Sequence, residues 1–535
     1  MPPAQENRGT KRKPKYAGGK KQAKKQKKGG DWIEASSEDI LLEDVRALLE
    51  KQSLGVKEPG ELVETQTELE LDVGLLSSTG DGLAFNPKDN RVYVVPFTVP
   101  GDRVLAKVFR HMDEHPYSMT DFVKVLEPSS LRDDSRIGCQ YFSKCSGCQF
   151  QMMAYDDQLA HKKTIVEKAF RNFSTIDPTL LPPVGDTIGS PLQYGYRTKL
   201  TPHFDGPPGF RSNRKKGIKA AFTEVPPIGY MLKNTRKTLD IEDCPIGTEA
   251  VLKGLKRERQ LVVDHLDKYS RGATILLRES TKRIPKPEDT PATDESATSP
   301  PDVVREEFPT HYHDKTYIAD QRATSTEYVD DFIFENPAGS FFQNNNSILS
   351  PFTHYIRSHI LPSNPAPDVP PLKYLIDAYC GSGLFTITLS SLFEKSLGID
   401  ISDPSIDFAR RNARLNHLSE SRAQFHVGNS ERIFEVVEFP PEETAVVIDP
   451  SRKGCDLAFL RQLLLFGPAR VVYVSCNVHT QARDVGALVN GVKGVDGGFG
   501  EGEGAYEVES VRGFDFFPQT SHVEGVAVLR KKQIV

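Results

Sequence analysis

The chain lacks any run of about 18 consecutive apolar residues, the length a membrane-crossing helix needs, so no spanning segment is expected. Its N-terminus is basic, with no apolar stretch behind the charges, which is not the pattern of a secretory signal. Cysteine is scarce: seven in 535 residues, an odd number in a long chain. That argues against a disulfide framework and for metal-binding or catalytic thiols in a reducing, intracellular compartment. A complete dinucleotide fingerprint is missing too. The Gly-x-Gly turn at Gly381 and Gly383 has no third glycine at the required spacing.

What is present points to a multidomain globular protein. The length predicts two to four domains, and 38% hydrophobic with 26% charged residues is an ordinary soluble composition. Residues 1–30 hold eleven Lys or Arg and one acid, Glu6. This basic tail cannot bury a core and is expected to be disordered, serving as a nuclear localisation signal or an RNA-binding arm. The destinations it allows are nucleus, cytoplasm or mitochondrion. Residues 31–62 read as an acidic amphipathic helix and a linker. From 63 to 130, about five short alternating strands separated by turn signals predict a small β-barrel of the oligonucleotide-binding kind. Residues 131–335 form a mixed α+β segment with a cysteine cluster, interrupted at 281–302 by a Pro-, Thr-, Ser- and acid-rich stretch expected to be a disordered insertion. From 336 to 535, apolar strands alternate with helical patterns, the signature of an α/β, Rossmann-like doubly wound sheet.

That last segment carries the chemistry. "LIDAYCGSGLF" runs a strand into a tight glycine turn, and 17 residues after Gly383 the next strand ends at Asp400. An acid there can accept hydrogen bonds from both hydroxyls of a ribose. A dinucleotide and S-adenosylmethionine both suit such a turn; the incomplete glycine pattern favours S-adenosylmethionine, which has no pyrophosphate to cradle. "VVIDPSRKG" ends the fourth strand at Asp449, where an acid can accept from the ring N–H of a target base, followed by Arg452 and Lys453. "VVYVSCN" ends the fifth strand at Cys476. A thiolate there can add to C6 of a pyrimidine and turn C5 into a nucleophile able to take a methyl group. The C5 proton must then leave, so a base is required. Glu524, in the polar "SHVEG" interruption before the final strand, is the first candidate and His522 the second. The same chemistry on cytosine fits less well, because the fourth strand end has no cysteine before Cys455. A non-catalytic RNA-binding or tRNA-folding protein built on a methyltransferase scaffold is the other reading. Cys380 and Cys455 are taken as passive wall residues.

Cys139, Cys145 and Cys148 form C-x5-C-x2-C, and Cys244 follows 96 residues after Cys148. Four thiolates suit zinc or an iron–sulfur cluster, and spacing does not choose between them.

Together "GSFFQNN" (339–345), "DAYCGSG" (377–383), "DPSRKG" (449–454), "SCN" (475–477) and "PQTSHVEGVAVL" (518–529) resemble the RNA (uracil-5-)-methyltransferase family, which makes 5-methyluridine in tRNA and ribosomal RNA. The resemblance implies Cys476 as nucleophile and Glu524 as base. It implies S-adenosylmethionine contacts from Gln343, Tyr379 and Asp400, with Asp449 near cofactor and uracil. It implies a 4Fe–4S cluster rather than zinc on Cys139, Cys145, Cys148 and Cys244. The 63–130 barrel resembles the family's RNA-binding TRAM module, and "YGYRTKLTPHF" its central domain, with Arg197 and Lys199 as RNA contacts. Ser451 and Val478 stand where many relatives have proline. The basic tail and acidic insertion are similar to eukaryotic members acting on the T-loop uridine of tRNA. The implied partner is therefore RNA, met by a monomer away from membranes; ribosomal RNA is the alternative substrate.

Overall fold

The structure, a computed structural model, describes residues 35–51, 61–210, 221–286, 302–362, 370–428, 433–434, 436–492 and 504–532. The basic tail and most of the acidic insertion lie outside the described residues. None of the described helices is long and apolar enough to cross a membrane.

The C-terminal half is built on an eight-stranded sheet. Its order is Ala423–Val427, Lys395–Asp400, Tyr374–Ala378, Thr444–Ile448, Arg470–Ser475, Glu524–Lys531, Tyr506–Phe514 and Gly185–Ile188. All the strands run the same way except Glu524–Lys531, which is antiparallel to both of its neighbours, so the sheet is mixed. Strand Arg470–Ser475 is buried throughout, as expected of a strand covered on both faces. Val472 and Val474 join a core with Phe352 and Ile356 of helix Leu349–Ile360 and Ile406 of helix Asp403–Leu415. On the opposite face, the Tyr473 hydroxyl donates to Asp484 of helix Val478–Asn490 at 2.5 Å. Strand order reverses beside Tyr374–Ala378, the switch point where open α/β sheets leave a crevice at the carboxyl ends of their strands.

Two features depart from the sequence expectation. Strand Gly185–Ile188 completes this sheet by pairing with Tyr506–Phe514, although it lies in the segment assigned to the central region. Helix Tyr155–Phe173 comes with it and drives Lys162 into the core. The Lys162 ammonium pairs with Asp515 and also donates to the carbonyls of Phe517 (3.1 Å) and His522 (2.8 Å). All three protons are used, the condition for burying a lysine at tolerable cost. The insertion also begins later than its composition suggests. Thr281–Pro285 continue a strand whose partner His311–Ile318 holds them in register up to Pro285 opposite His311. Backbone pairing to a long neighbour overrides the local composition.

Residues 68–127 form six strands rather than five, in the order Glu68–Asp72, Arg103–His111, Tyr117–Glu127, Arg91–Val95, Gly82–Asn86, Leu75–Leu76. The two outermost strands are consecutive in the chain, joined only by Val73 and Gly74, so the sheet curls on itself around Leu71, Tyr93, Val95, Val104 and Val108. Helix Ser37–Lys51 covers its other face through Leu41, Val45 and Leu48.

Candidate active site

Strand register assembles the site. Ala378 pairs with Ile399 on one side and Ile448 on the other, so the residues that follow, Tyr379, Asp400 and Asp449, leave the sheet side by side. Ser475 pairs antiparallel with Gly525, so one step outward Cys476 stands opposite Glu524. These five residues and Gln343 line one cavity of about 1100 Å3.

At one end, the glycine turn and Asp400 form a cradle. The Asp400 carboxylate accepts from the backbone N–H of Gly381 (3.0 Å) and of Ser402 (2.8 Å). Each oxygen keeps lone-pair capacity for a ligand. Gly381 has φ +54°, and a Cβ there would meet nothing within 4 Å, which leaves open space directly over the turn. Tyr379 adopts φ 65° without being glycine, a sparsely populated conformation concentrated at functional sites. Its ring packs 5.2 Å from that of Phe459. Asp377, below the turn, accepts from the Thr386 N–H and hydroxyl, while its second oxygen has no partner; burial lifts its carboxyl to about 7.

At the other end sit the reacting groups. Burial, then the charges of Glu524 and Asp449, push the Cys476 thiol up to about 12, while Arg452 opposes them and hydrogen-bonds to it. Glu524 is 2% exposed, and its Oε1 has no hydrogen-bond partner. Burial and the neighbouring Asp449 hold the Glu524 carboxyl well above the usual range, with Arg452 again opposing. Burial likewise raises Asp449. His522 is pushed the other way, to about 4, by burial and by Arg452, Lys162 and Arg197, so it stays a neutral imidazole.

The loops are tied to one another. Asn477 caps helix Val478–Asn490 by accepting from the His479 N–H, and its side-chain amide donates to the Arg452 carbonyl at 3.0 Å. Thr480 donates to the same carbonyl at 3.2 Å. Gln481 donates to the carbonyls of Tyr473 (2.7 Å) and Gly525 (3.0 Å), clamping the strand that ends at Cys476 to the strand that starts at Glu524. Val478 stands at the first helical position, where the backbone N–H needs no intrahelical partner and proline would be tolerated.

The two cations expected to meet RNA stand in different settings. Arg197 lines the cavity, with its guanidinium 5.8 Å from the Phe517 ring. Lys199 donates to the carbonyls of Gly339 (3.1 Å) and Ser340 (3.0 Å), bracing the loop that carries Gln343. Arg452 and Asn477 emerge as site residues whose roles their motifs did not reveal. Pro404 and Phe408, which also line the cavity, had a sequence signal: apolar residues at the start of the helix after the Asp400 strand.

Cys139, Cys145, Cys148 and Cys244 converge on a wall of the same cavity. Among the described residues no group of three or more His, Cys, Asp or Glu is spaced to hold a metal ion. The four thiols are nonetheless within electrostatic reach: burial first, then Cys148, Cys145 and Cys139 in turn, raise Cys244. Gln151 accepts from the Cys139 N–H at 3.1 Å.

Comparison with known proteins agrees with this architecture. Residues 314–532 match the family described as tRNA (Uracil-5-)-methyltransferase. The tRNA (uracil(54)-C(5))-methyltransferase of Schizosaccharomyces pombe is 43% identical over 498 residues, 93% of this chain and 84% of that protein. The Saccharomyces cerevisiae protein of the same name is 39% identical, over 92% of this chain and 78% of its own. Among solved structures, the Pyrococcus abyssi tRNA (uracil-54, C5)-methyltransferase in complex with S-adenosyl-L-homocysteine shares the fold at a TM-score of 0.57 and 21% identity, covering 86% of this chain and 100% of that one. The chain belongs to the tRNA (uracil-5-)-methyltransferase family.

Proposed function

We propose that this protein methylates C5 of a uracil in RNA, the T-loop uridine of tRNA, using S-adenosylmethionine and giving 5-methyluridine. The observation that carries it is the pairing of Cys476 with Glu524 across neighbouring strand ends, in the cavity that also reaches Asp400 and the Gly381 turn. Nucleoside mass spectrometry of tRNA and ribosomal RNA, with and without the protein, tests it. Loss of 5-methyluridine from tRNA alone supports the reading. Loss from ribosomal RNA alone moves the substrate, and no loss at all favours an RNA-binding role without catalysis.

S-adenosylmethionine supplies the electrophilic methyl group. Gln343, Tyr379 and Asp400 hold it, on the support of the open space over Gly381 and the spare acceptors of Asp400. The target base must leave its stack to reach the cavity. Cys476 loses its proton and its sulfur bonds to C6, which moves the ring electron pair to C5. Arg452 stabilises the thiolate, and Asp449 accepts from the ring N–H. C5 takes the methyl group. Glu524, as carboxylate, removes the C5 proton; the C6–S bond then breaks, the electron pair returns to Cys476, and the thiolate takes back the proton it lost at the start. The balance is one methyl gained and one proton released.

A 4Fe–4S cluster on Cys139, Cys145, Cys148 and Cys244 is proposed on the family resemblance and on the convergence of the four thiols on one cavity wall. Such a cluster would brace the cavity wall, with no part in methyl transfer. The curled sheet of residues 68–127 is proposed to be a TRAM-like RNA-binding barrel. Its closure, implied by consecutive outermost strands, supports that. The protein is proposed to act as a monomer.

A further inference from the structure

We propose that Arg278 and Glu327, buried in the central region, are positioning residues that set the posture of Gln343 and thereby the affinity for the cofactor. The proposal deepens the functional reading above and rests on it. Gln343 lies in an irregular loop, where no helix or strand fixes its side chain. Its cavity role depends on what holds its neighbours.

Arg278 holds both. It is 1% exposed and lies near the start of strand Leu277–Pro285. Its guanidinium sits 6.0 Å from the centroid of the Phe342 ring and donates to the Asn344 side-chain oxygen at 3.1 Å. One arginine therefore grips the residue before Gln343 through its ring and the residue after it through a hydrogen bond. Glu327, 3% exposed on strand Thr324–Val329, pairs with the far side of the guanidinium and so fixes its orientation. The adjacent register adds the backbone: Arg278 pairs with Lys199, the Thr198 N–H donates to the Asn344 carbonyl at 2.9 Å, and the Lys199 ammonium binds the loop's first carbonyls.

A pair kept for stability alone has little reason to be ionic, because well-packed apolar residues of similar volume often do as well or better. This pair also leaves Arg278 Nε and Glu327 Oε2 without partners, an imperfectly satisfied arrangement for a purely structural device. What an arginine supplies and an apolar residue cannot is a planar donor fork of fixed direction. Here one arm of that fork meets Asn344 and the other meets Glu327.

The test is a double-mutant cycle in the full-length protein, read by calorimetric titration with S-adenosylhomocysteine and by the KM for S-adenosylmethionine. Arg278→Lys keeps the charge beside Glu327 but loses the fork; Asn344→Ala removes only the acceptor. Each is expected to weaken S-adenosylhomocysteine about tenfold, the scale of one charged hydrogen bond, with KM raised more than kcat is lowered. The double variant should be no weaker than the singles, because both remove one interaction. Unchanged affinity in both singles, or fully additive losses, overturns the proposal. If Arg278→Lys does not fold, Asn344→Ala decides alone: weakened binding supports the proposal, and unchanged binding rejects it. A wild type that binds no S-adenosylhomocysteine overturns the functional reading itself and this proposal with it.

Discussion

The side-chain amide of Asn477 holds the carbonyl of Arg452 at 3.0 Å, tying the loop of the proposed nucleophile to the loop of the cation that faces it. With Thr480, whose hydroxyl donates to the same carbonyl at 3.2 Å, it holds the Arg452 loop beside the Cys476 thiol. Asn477→Ala removes both this bond and a helix N-cap. The cap is worth about 1 kcal/mol, so a modest drop in Tm is expected. The larger effect should be on kcat, reduced about tenfold or more as the hydrogen bond to a charged-group loop is lost. Asn477→Ser, which still caps the helix, should restore the Tm but not the rate.

The Cys476 thiol, pushed up to about 12 by burial and by two neighbouring carboxylates, is almost wholly protonated at neutral pH. Alkylation of free enzyme by iodoacetamide at this residue should therefore climb with pH past 10, without levelling near the ordinary thiol value. Peptide mass spectrometry over a pH series measures this. A plateau between pH 8 and 9 would show that Arg452 dominates instead.

Glu524→Gln should block proton removal while leaving addition and methyl transfer intact. Ordinary tRNA with S-adenosylmethionine should then leave a methylated, covalent protein–RNA complex that survives denaturing electrophoresis. A variant that turns over normally would move the base to another residue, with His522 the neighbour to test next.

Asp377 supplies a pH signature. Burial raises its folded pKa to about 7, above the unfolded value near 3.8. The sign follows from linkage: the native state binds the extra proton, so its contribution to stability is full below the unfolded value and is lost as pH rises toward 7. Asp377→Asn keeps an acceptor for Thr386 and removes the titration. Its Tm should fall less than that of the wild type between pH 4 and 7 in matched buffers.

Much of the proposed site was legible in the sequence because it is built from strand ends. Each motif places its residue where an apolar strand stops, and parallel register then puts Tyr379, Asp400 and Asp449 together without further information. Cys476 and Glu524 meet for the same reason across an antiparallel pair. What stayed hidden depends on pairing between distant segments. The helix pattern at 155–173 says nothing of Asp515, so Lys162 reads as a surface lysine until the fold buries it. Gly185–Ile188 is too short to announce that it completes a sheet whose neighbouring strand, Tyr506–Phe514, lies far along the chain. The contact of Lys199 with two carbonyls of the Gln343 loop likewise depends on a segment 140 residues away.

The direct test of Cys476 addition is intact mass spectrometry of the protein incubated with S-adenosylmethionine and a T-loop RNA carrying 5-fluorouracil at the target position. Fluorine cannot leave as the C5 proton does, so elimination stalls. The expected result is a protein–RNA adduct heavier than protein plus RNA by one CH2, a methyl gained and the thiol proton lost, mapped to Cys476 and absent from Cys476→Ala. An enzyme that methylates ordinary T-loop RNA yet forms no adduct with the fluorinated one, or a Cys476→Ala variant with full activity, would contradict it.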